Sequence, residues 1–307
     1  MNIVAPCGFV YVATGECYRG EAAVAAAQLR RTNPGARICL IADRAEGPVF
    51  WDDFVLLDRP AFGFRDKLAM HLCPYDRFVF LDTDTYVGAD LTEVFQLLDH
   101  FDVAGHQLFE GHDYRLPDVP DAFPEFQGGM LAFKRSPSVE NFFVQWLANY
   151  EVFHALNREG HYHYANVGEQ KALRLTLYHS NLRLAVLGPE FNFIPGQVDF
   201  ACATVRILHG RGDLAPFARR INAQTSNRVY VPVIDSILSA RTPPAELCRA
   251  WWMITLQLLR AAAVTSTPLG LRNWLRRSAT VRDWFLRNRF AGANAKPDPK
   301  WQKPGDR

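Results

Sequence analysis

The segment FVFLDTDTYV, residues 78–87, constrains the fold of this chain more than any other. Phe78, Val79, Phe80 and Leu81 form an unbroken apolar run, as a buried strand should. The run ends on Asp82 and Asp84, with only Thr83 between them. Two carboxylates this close repel each other. A divalent cation relieves the repulsion where the pair faces a cleft, and Mg²⁺ and Mn²⁺ favour hard oxygen ligands and bridge readily to phosphates. In an extended segment residues two apart point to the same side, so both carboxylates are expected to face one ion. An Asx-type turn that caps the strand is the other reading.

The rest of the chain supplies a setting. GFVYVATG is an apolar run ending at Thr14-Gly15, and the alanine-rich stretch from Gly20 to Arg31 is helical by propensity. Asn33-Pro34-Gly35 breaks it, ARICLIAD reads as a second strand, and VFWDDFVLLD as a third. Phe64 to Leu72 reads as a short helix stopped by Pro74. Strand, helix and strand with short connections predict βαβ units and a mostly parallel sheet. Ligands of such sheets bind beyond the carboxyl ends of the strands, where ATG and DTD both fall.

With 307 residues, 49% of them hydrophobic, the chain is long enough for one large or two modest domains. The first residues show no basic n-region or small-residue cleavage site, so no secretory signal is expected. The most apolar late run, Ala250 to Leu259, is shorter than the ~20 residues that span a bilayer. The six scattered cysteines, none in CxxC spacing, read as reduced buried thiols of a cytoplasmic protein. Charge is uneven. From Arg241 onward there are 13 Lys+Arg against 4 Asp+Glu, a net of +9, whereas the preceding body has a net of −7. Pro243-Pro244 begins a helix whose Leu247, Trp251, Ile254 and Leu258 share one face, expected to pack on the core. LRNWLRRSATVRDWFLRNRF, with six arginines and two tryptophans, reads either as a basic amphipathic segment on an anionic membrane surface or as a helix docked on the acidic body. Nucleic acid is not an expected partner, because the acidic body opposes it. The expected organisation is a catalytic unit over 1–240, a basic helical extension over 241–292 and a disordered tail over 293–307.

Five blocks in consistent order carry a family resemblance: YVATGECYRGEAAVAAAQLRRTNPGARICLIAD, DKLAMHLCPYDRFVFLDTDTYV, FQGGMLAFKRSP, GEQKALRLTLYHSNLRLAVLGPEFNF and ILHGRG. Over about Gly8 to Gly212 the chain resembles the GT-A glycosyltransferases, closest to the glycogenin and bacterial lipopolysaccharide galactosyltransferase group. The resemblance implies an α/β GT-A fold and transfer of a sugar, with retention, from a nucleotide-diphosphate sugar, most simply a UDP-sugar, to a glycan or lipid-linked acceptor. It implies a Mn²⁺ or Mg²⁺ cofactor held by Asp82, Asp84 and His209. It places Tyr11, Ala13 and Thr14 at the base and ribose, ordinary core packing being the other reading of Tyr11, with Lys67, and less strongly Arg65, near the donor, a solvated helix lysine being the other reading of Lys67. Asp43, at the end of the second strand, reads as either functional or structural. Gln127, Gly128 and Gly129 map to the donor-sugar block, where the family commonly has Asn-Ser or Asn-Thr in place of Gln127-Gly128. Glu169 and Gln170 map to the family's Asp-Gln pair near the anomeric carbon, Glu169 being one methylene longer. Gly210 and Arg211 map to the diphosphate, Arg211 standing where the family pattern leads to a lysine. His161 and His163, two apart in HYHY, read as a metal pair or as lining of the acceptor cleft. A sugar nucleotidyltransferase and an inactive membrane-associated relative are the alternatives; ATGECYRG is a poor phosphate loop for the first, and intact Asp82, Asp84 and His209 oppose the second.

Overall fold

The computed structural model describes residues 7–45, 51–108, 116, 118–158 and 169–266. The first apolar run is strand β1, Cys7–Ala13, and the alanine-rich stretch is helix α1, Glu16–Thr32. Strand β2, Ile38–Ala42, is buried at all five positions. Strand β3, Asp53–Leu56, alternates half-buried and exposed residues, as a strand at a sheet edge does. The expected short helix is one α-helical turn, α2 (Phe64–Lys67), that tightens into a 3₁₀ turn over Leu68–Leu72 ahead of Pro74. Strand β4 is Arg77–Leu81. Then follow β5 (Thr85–Val87), α3 (Thr92–Leu97), β6 (Val103–Gln107), β7 (Phe126–Lys134), α4 (Pro137–Arg158), α5 (Gln170–Tyr178) and β8 (Leu184–Leu187).

The main sheet has seven strands in the order β3-β2-β1-β4-β7-β6-β8. Every pairing is parallel except those of β7, which runs against both neighbours. This is the mostly parallel α/β sheet flanked by helices that the resemblance implied. Because strand residues alternate between faces, the sheet builds two cores. Val10, Val12, Phe78 and Phe80 pack under α4 and α5, where Phe133 and Phe143 lie 4.9 Å apart between ring centroids and Trp146 is fully buried. Phe9, Tyr11, Val79 and Leu81 pack under Ala22, Ala25, Ala26 and Leu29 of α1 on the other face.

The remaining elements are β9 (Asp199–Ala201), β10 (Ile207–His209), α6 (Ala215–Ile221), β11 (Arg228–Val231), β12 (Ser236–Ser239) and α7 (Pro244–Ser266). Strands β9, β11 and β12 form a small antiparallel sheet with its own core, while β10 leaves it to pair with β5.

Two expectations are corrected. Helix α7 forms, but Leu247, Trp251 and Leu258 do not pack on the core, being 43%, 66% and 66% exposed. The helix instead turns Ala250 inward and rests against the 3₁₀ turn at Pro232–Ile234. The cysteines were expected to be buried, yet Cys17, Cys202 and Cys248 are exposed. The HYHY stretch and the basic segment at 269–290 lie outside the described residues.

Candidate functional site

The site is assembled by strand register. Leu81 pairs with Met130, so the next residue, Asp82, meets Gly129, whose carbonyl accepts the Asp82 N–H at 2.9 Å. Thr83 and Asp84 then turn the chain, and the Thr85 N–H and Oγ1 both donate to the Asp82 carbonyl, at 3.2 and 2.7 Å. The two carboxylates are therefore gathered by a tight turn, not by the pleat of an extended segment as expected. The turn delivers β5 to β10, where Thr85 pairs with His209 and the Gly210 N–H donates to the Asp84 carbonyl at 3.0 Å. His209 Nε2 lies 3.2 Å from Asp84 Oδ1 and 3.6 Å from Asp82 Oδ2. One ligand atom from each of the three residues falls within 4.8 Å of the others. Two oxygens and one nitrogen converging in this way form a donor set that fits a divalent cation.

The electrostatics follow from this crowding. Burial pushes the Asp82 carboxyl above its usual range, against the opposing pull of Lys67 and His209. Burial also pushes Asp84 up, but the hydrogen bond and charge of His209, with Lys67 and Arg211, hold it below its ordinary value. His209 is raised despite burial because Asp84 and Asp82 face its ring. Its Nδ1 is buried without a hydrogen-bond partner. The ring's Cε1 and Nδ1 edge lies close to Gly129, where any side chain would overlap it.

Behind the three ligand candidates, Lys67 Nζ bridges Asp82 Oδ2 at 2.7 Å and Glu169 Oε1 at 2.8 Å. Burial disfavours its charge, but the two carboxylates outweigh burial and raise its pKa. Glu169 immediately precedes α5, its side chain 3% exposed, and its backbone carbonyl accepts the Trp146 indole N–H at 3.1 Å. Its carboxylate fills the space beside Gly128 that a side chain there would occupy. Gln170 approaches Glu125 at 3.4 Å. Gln127 Oε1 accepts from the Gly129 N–H and from Asn192 Nδ2, at 2.5 and 2.9 Å, which leaves its amide NH₂ as the group free to meet a ligand.

At the end of β1 the side chains face the core. Tyr11 is fully buried, its ring 6.3 Å from Trp51, because its position on β1 faces the α1 core. Ala13 is buried on the same face. A ligand can thus meet this strand only through backbone. The Thr14 hydroxyl donates to Asp66 Oδ2 at 2.8 Å. Asp43 is engaged within the fold: it accepts the Gly15 N–H at 2.9 Å, and Arg19 Nη1 donates to its Oδ1 and Oδ2 at 2.7 and 2.8 Å. Arg65 pairs with Glu151 on the surface at 2.5 Å, away from the carboxylates. Arg211 sits at the rim, half-exposed, over the Tyr18 ring at 5.8 Å, and Glu21 links it to the Thr83 hydroxyl.

Three supporting residues escaped the sequence reading. Asp66 is buried and accepts from Thr14, Ala61 N–H and Phe62 N–H, which ties the loop before α2 to β1. Asn192, fully buried, orients Gln127. Trp146 braces Glu169. An isolated polar residue between two phenylalanines, as in Phe191-Asn192-Phe193, was the one available signal.

No protein-family model and no curated protein matches the chain. Among solved structures it is similar to the glycosyltransferase GlyE of Streptococcus pneumoniae TIGR4, at 17% identity over 69% of this chain and 57% of that one, TM-score 0.48. It is similar to the galactosyltransferase LgtC in complex with donor and acceptor sugar analogs, at 14% identity over 70% and 94%, TM-score 0.48. Mouse xyloside xylosyltransferase 1 is similar at 15% identity over 66% and 97%, TM-score 0.44. The match thus spans a little over half of GlyE. At these identities the likeness concerns the course of the backbone and assigns no role to any residue.

Proposed function

We propose that the chain is a metal-dependent glycosyltransferase that moves a sugar from a nucleotide-diphosphate sugar, a UDP-sugar, to a glycan or lipid-linked acceptor. The observation that carries this reading is the convergence of Asp82, Asp84 and His209 at the carboxyl end of β4, the edge at which sheets of this class bind ligands. These three residues would hold the cation, and two carboxylates with one imidazole suit Mn²⁺ better than Mg²⁺, whose ligands are oxygens. When bound, the ion would supply Lewis-acid stabilisation of the diphosphate leaving group. Gly210, with φ of 153° and open space beside its Cα, lets backbone approach a phosphate closely. Arg211 offers a cation at the rim. Gln127 presents amide N–H groups to a sugar hydroxyl, and Glu169 and Gln170 line the donor-sugar space.

The reaction breaks the bond between the anomeric carbon and the diphosphate oxygen and forms one to an acceptor oxygen. The acceptor proton leaves to the diphosphate or to solvent. Retention is part of this reading and rests on the family resemblance. Residues 1–240 are the catalytic unit and 241–292 an extension that meets an anionic membrane at its cytoplasmic face. Trp251 and Trp252 on the exposed face of α7 support the latter. Among the described residues no helix is long and apolar enough to cross a membrane.

A thermal-shift screen of nucleotide sugars with and without Mn²⁺ tests donor class and metal together. Stabilisation by UDP or a UDP-sugar is expected to need Mn²⁺ and to vanish in Asp84→Ala and His209→Ala. Undiminished metal-dependent stabilisation in both variants would sink the reading.

A further inference from the structure

Gly128 and Glu169 are two of the positions, with Gln127, at which this chain departs from the family pattern around the donor sugar. The structure shows that the departures fit each other. An added Cβ at residue 128 would overlap Glu169 Oε1, and it would stand 3.3 Å from the carboxyl carbon and 3.6 Å from Gln170 Cγ. The longer acid occupies what the missing side chain vacates. The oxygen seated there is the one that accepts from Lys67, at 2.8 Å.

Lys67 has a second partner, and its identity matters. Asp82 Oδ2, 2.7 Å from Nζ, is also the oxygen that faces His209 Nε2 at 3.6 Å. A cation entering among Asp82, Asp84 and His209 therefore competes with the ammonium for one atom. Two cations cannot share it without repulsion, so Lys67 needs another carboxylate to retain it. Glu169 is that carboxylate, and its side chain is too deeply buried, at 3% exposure, for solvent to take its place. With His209 neutral, the carboxylates of Asp82, Asp84 and Glu169 against one ammonium leave two negative charges, which match a divalent ion.

We propose that Gly128 and Glu169 act as a positioning pair that draws Lys67 off Asp82 and so sets the affinity of the Asp82–Asp84–His209 pocket for a divalent cation, although neither residue touches the ion. The proposal rests on the metal reading of that pocket. It also explains why glycine stands at 128: a serine or threonine there would force Glu169 away from Lys67 and leave the ammonium on Asp82.

The test is Mn²⁺ alone, titrated into the full chain without nucleotide and followed by electron paramagnetic resonance of the free ion. Glu169→Gln, which keeps the shape and removes the charge, is expected to raise the Mn²⁺ Kd roughly fivefold to twentyfold. Gly128→Ala is expected to act in the same direction. Lys67→Gln is expected to lower the Kd, because it removes the competitor. In Gly128→Ala/Glu169→Asp the shorter acid clears the new methyl group, so at least half of the lost affinity, on a logarithmic scale, is expected to return. Circular dichroism checks that each variant folds, and the isosteric Glu169→Gln decides the matter if Gly128→Ala does not fold. Kd values within twofold of the unaltered protein in Glu169→Gln, or weaker binding in Lys67→Gln, overturn this proposal while the metal reading stands. Absence of Mn²⁺ binding by the unaltered protein overturns both.

Discussion

The pocket around Asp82 and the outer face of α7 both break the rule that polar groups face water and apolar groups do not, in opposite senses. In the pocket, Asp82, Glu169 and Lys67 are largely buried, but each charge has a partner of opposite sign within 3 Å. On α7, Trp251, Trp252, Leu258 and Leu259 are 59–66% exposed and the ten residues from Ala250 to Leu259 carry no charge. Buried charge is costly unless paired, and an exposed apolar patch is unfavourable unless something covers it. The difference is where compensation comes from. The pocket is compensated within the chain, so its members depend on one another. The helix face has no such compensation among the described residues, so its side chains contribute little to folding.

The two regions each contain tryptophan, and that gives the sharpest way to break the contrast. Trp146→Ala should cost about 3–5 kcal/mol of stability, since it empties a buried site beneath α4 and removes the hydrogen bond to Glu169. Denaturant titration measures this, and a cost below 1 kcal/mol would contradict the packing described. Second in size, Asp84→Ala should weaken Mn²⁺ binding by about a hundredfold, with little change in the metal-free melting temperature at a pH above the raised pKa of His209, where the ring is neutral. Calorimetric titration reads the affinity.

Asp66→Ala should destabilise by about 2 kcal/mol, because three donors lose their acceptor in a buried place. Restoration of stability by Asp66→Asn would argue that one acceptor oxygen suffices. The pocket should also respond to pH with two opposite signs. The pKa of His209 is raised by the fold above its ordinary value near 6.5. Its protonated ring therefore stabilises the metal-free protein fully below that value, and the contribution is lost as pH rises through the raised pKa. Mn²⁺ needs the neutral ring, so metal affinity should rise across the same window. Melting curves with and without Mn²⁺ between pH 5 and 9 report both, and parallel trends would place His209 outside the metal shell. Smallest in folding energy is the double substitution Trp251→Ala/Trp252→Ala, expected to change stability by less than about 0.5 kcal/mol. The same variant should lose sedimentation with anionic liposomes at low salt. Retained sedimentation would transfer the association to the basic segment alone.

Much of the frame was legible beforehand. Unbroken apolar runs marked β1, β2 and β4, and the carboxylates after Leu81 marked where β4 ends, because a run of that kind has few alternatives. The α1 region was legible by alanine content. The face of α7 was misread because helical periodicity in 247–258 identifies which residues are apolar and not whether anything covers them. Tyr11 stayed between two readings for a related reason: a residue near a strand end faces either the strand's open end or the core, composition does not distinguish the two, and its burial is what selects the core.

Sequence by itself determined the pairing of Asp82 with Asp84 and the apolar strand before them, since these are properties of neighbours along the chain. It also determined the charge step at Arg241. Tertiary structure alone decided that a turn, and not a pleat, gathers the carboxylates, and that β5 leaves the main sheet to find β10. It decided that Gly128 is shaped to Glu169, 41 positions further along the chain. The physical reason is range. Local pattern records how each residue meets water and its nearest neighbours, whereas a close approach between distant segments is fixed by sheet register and packing density.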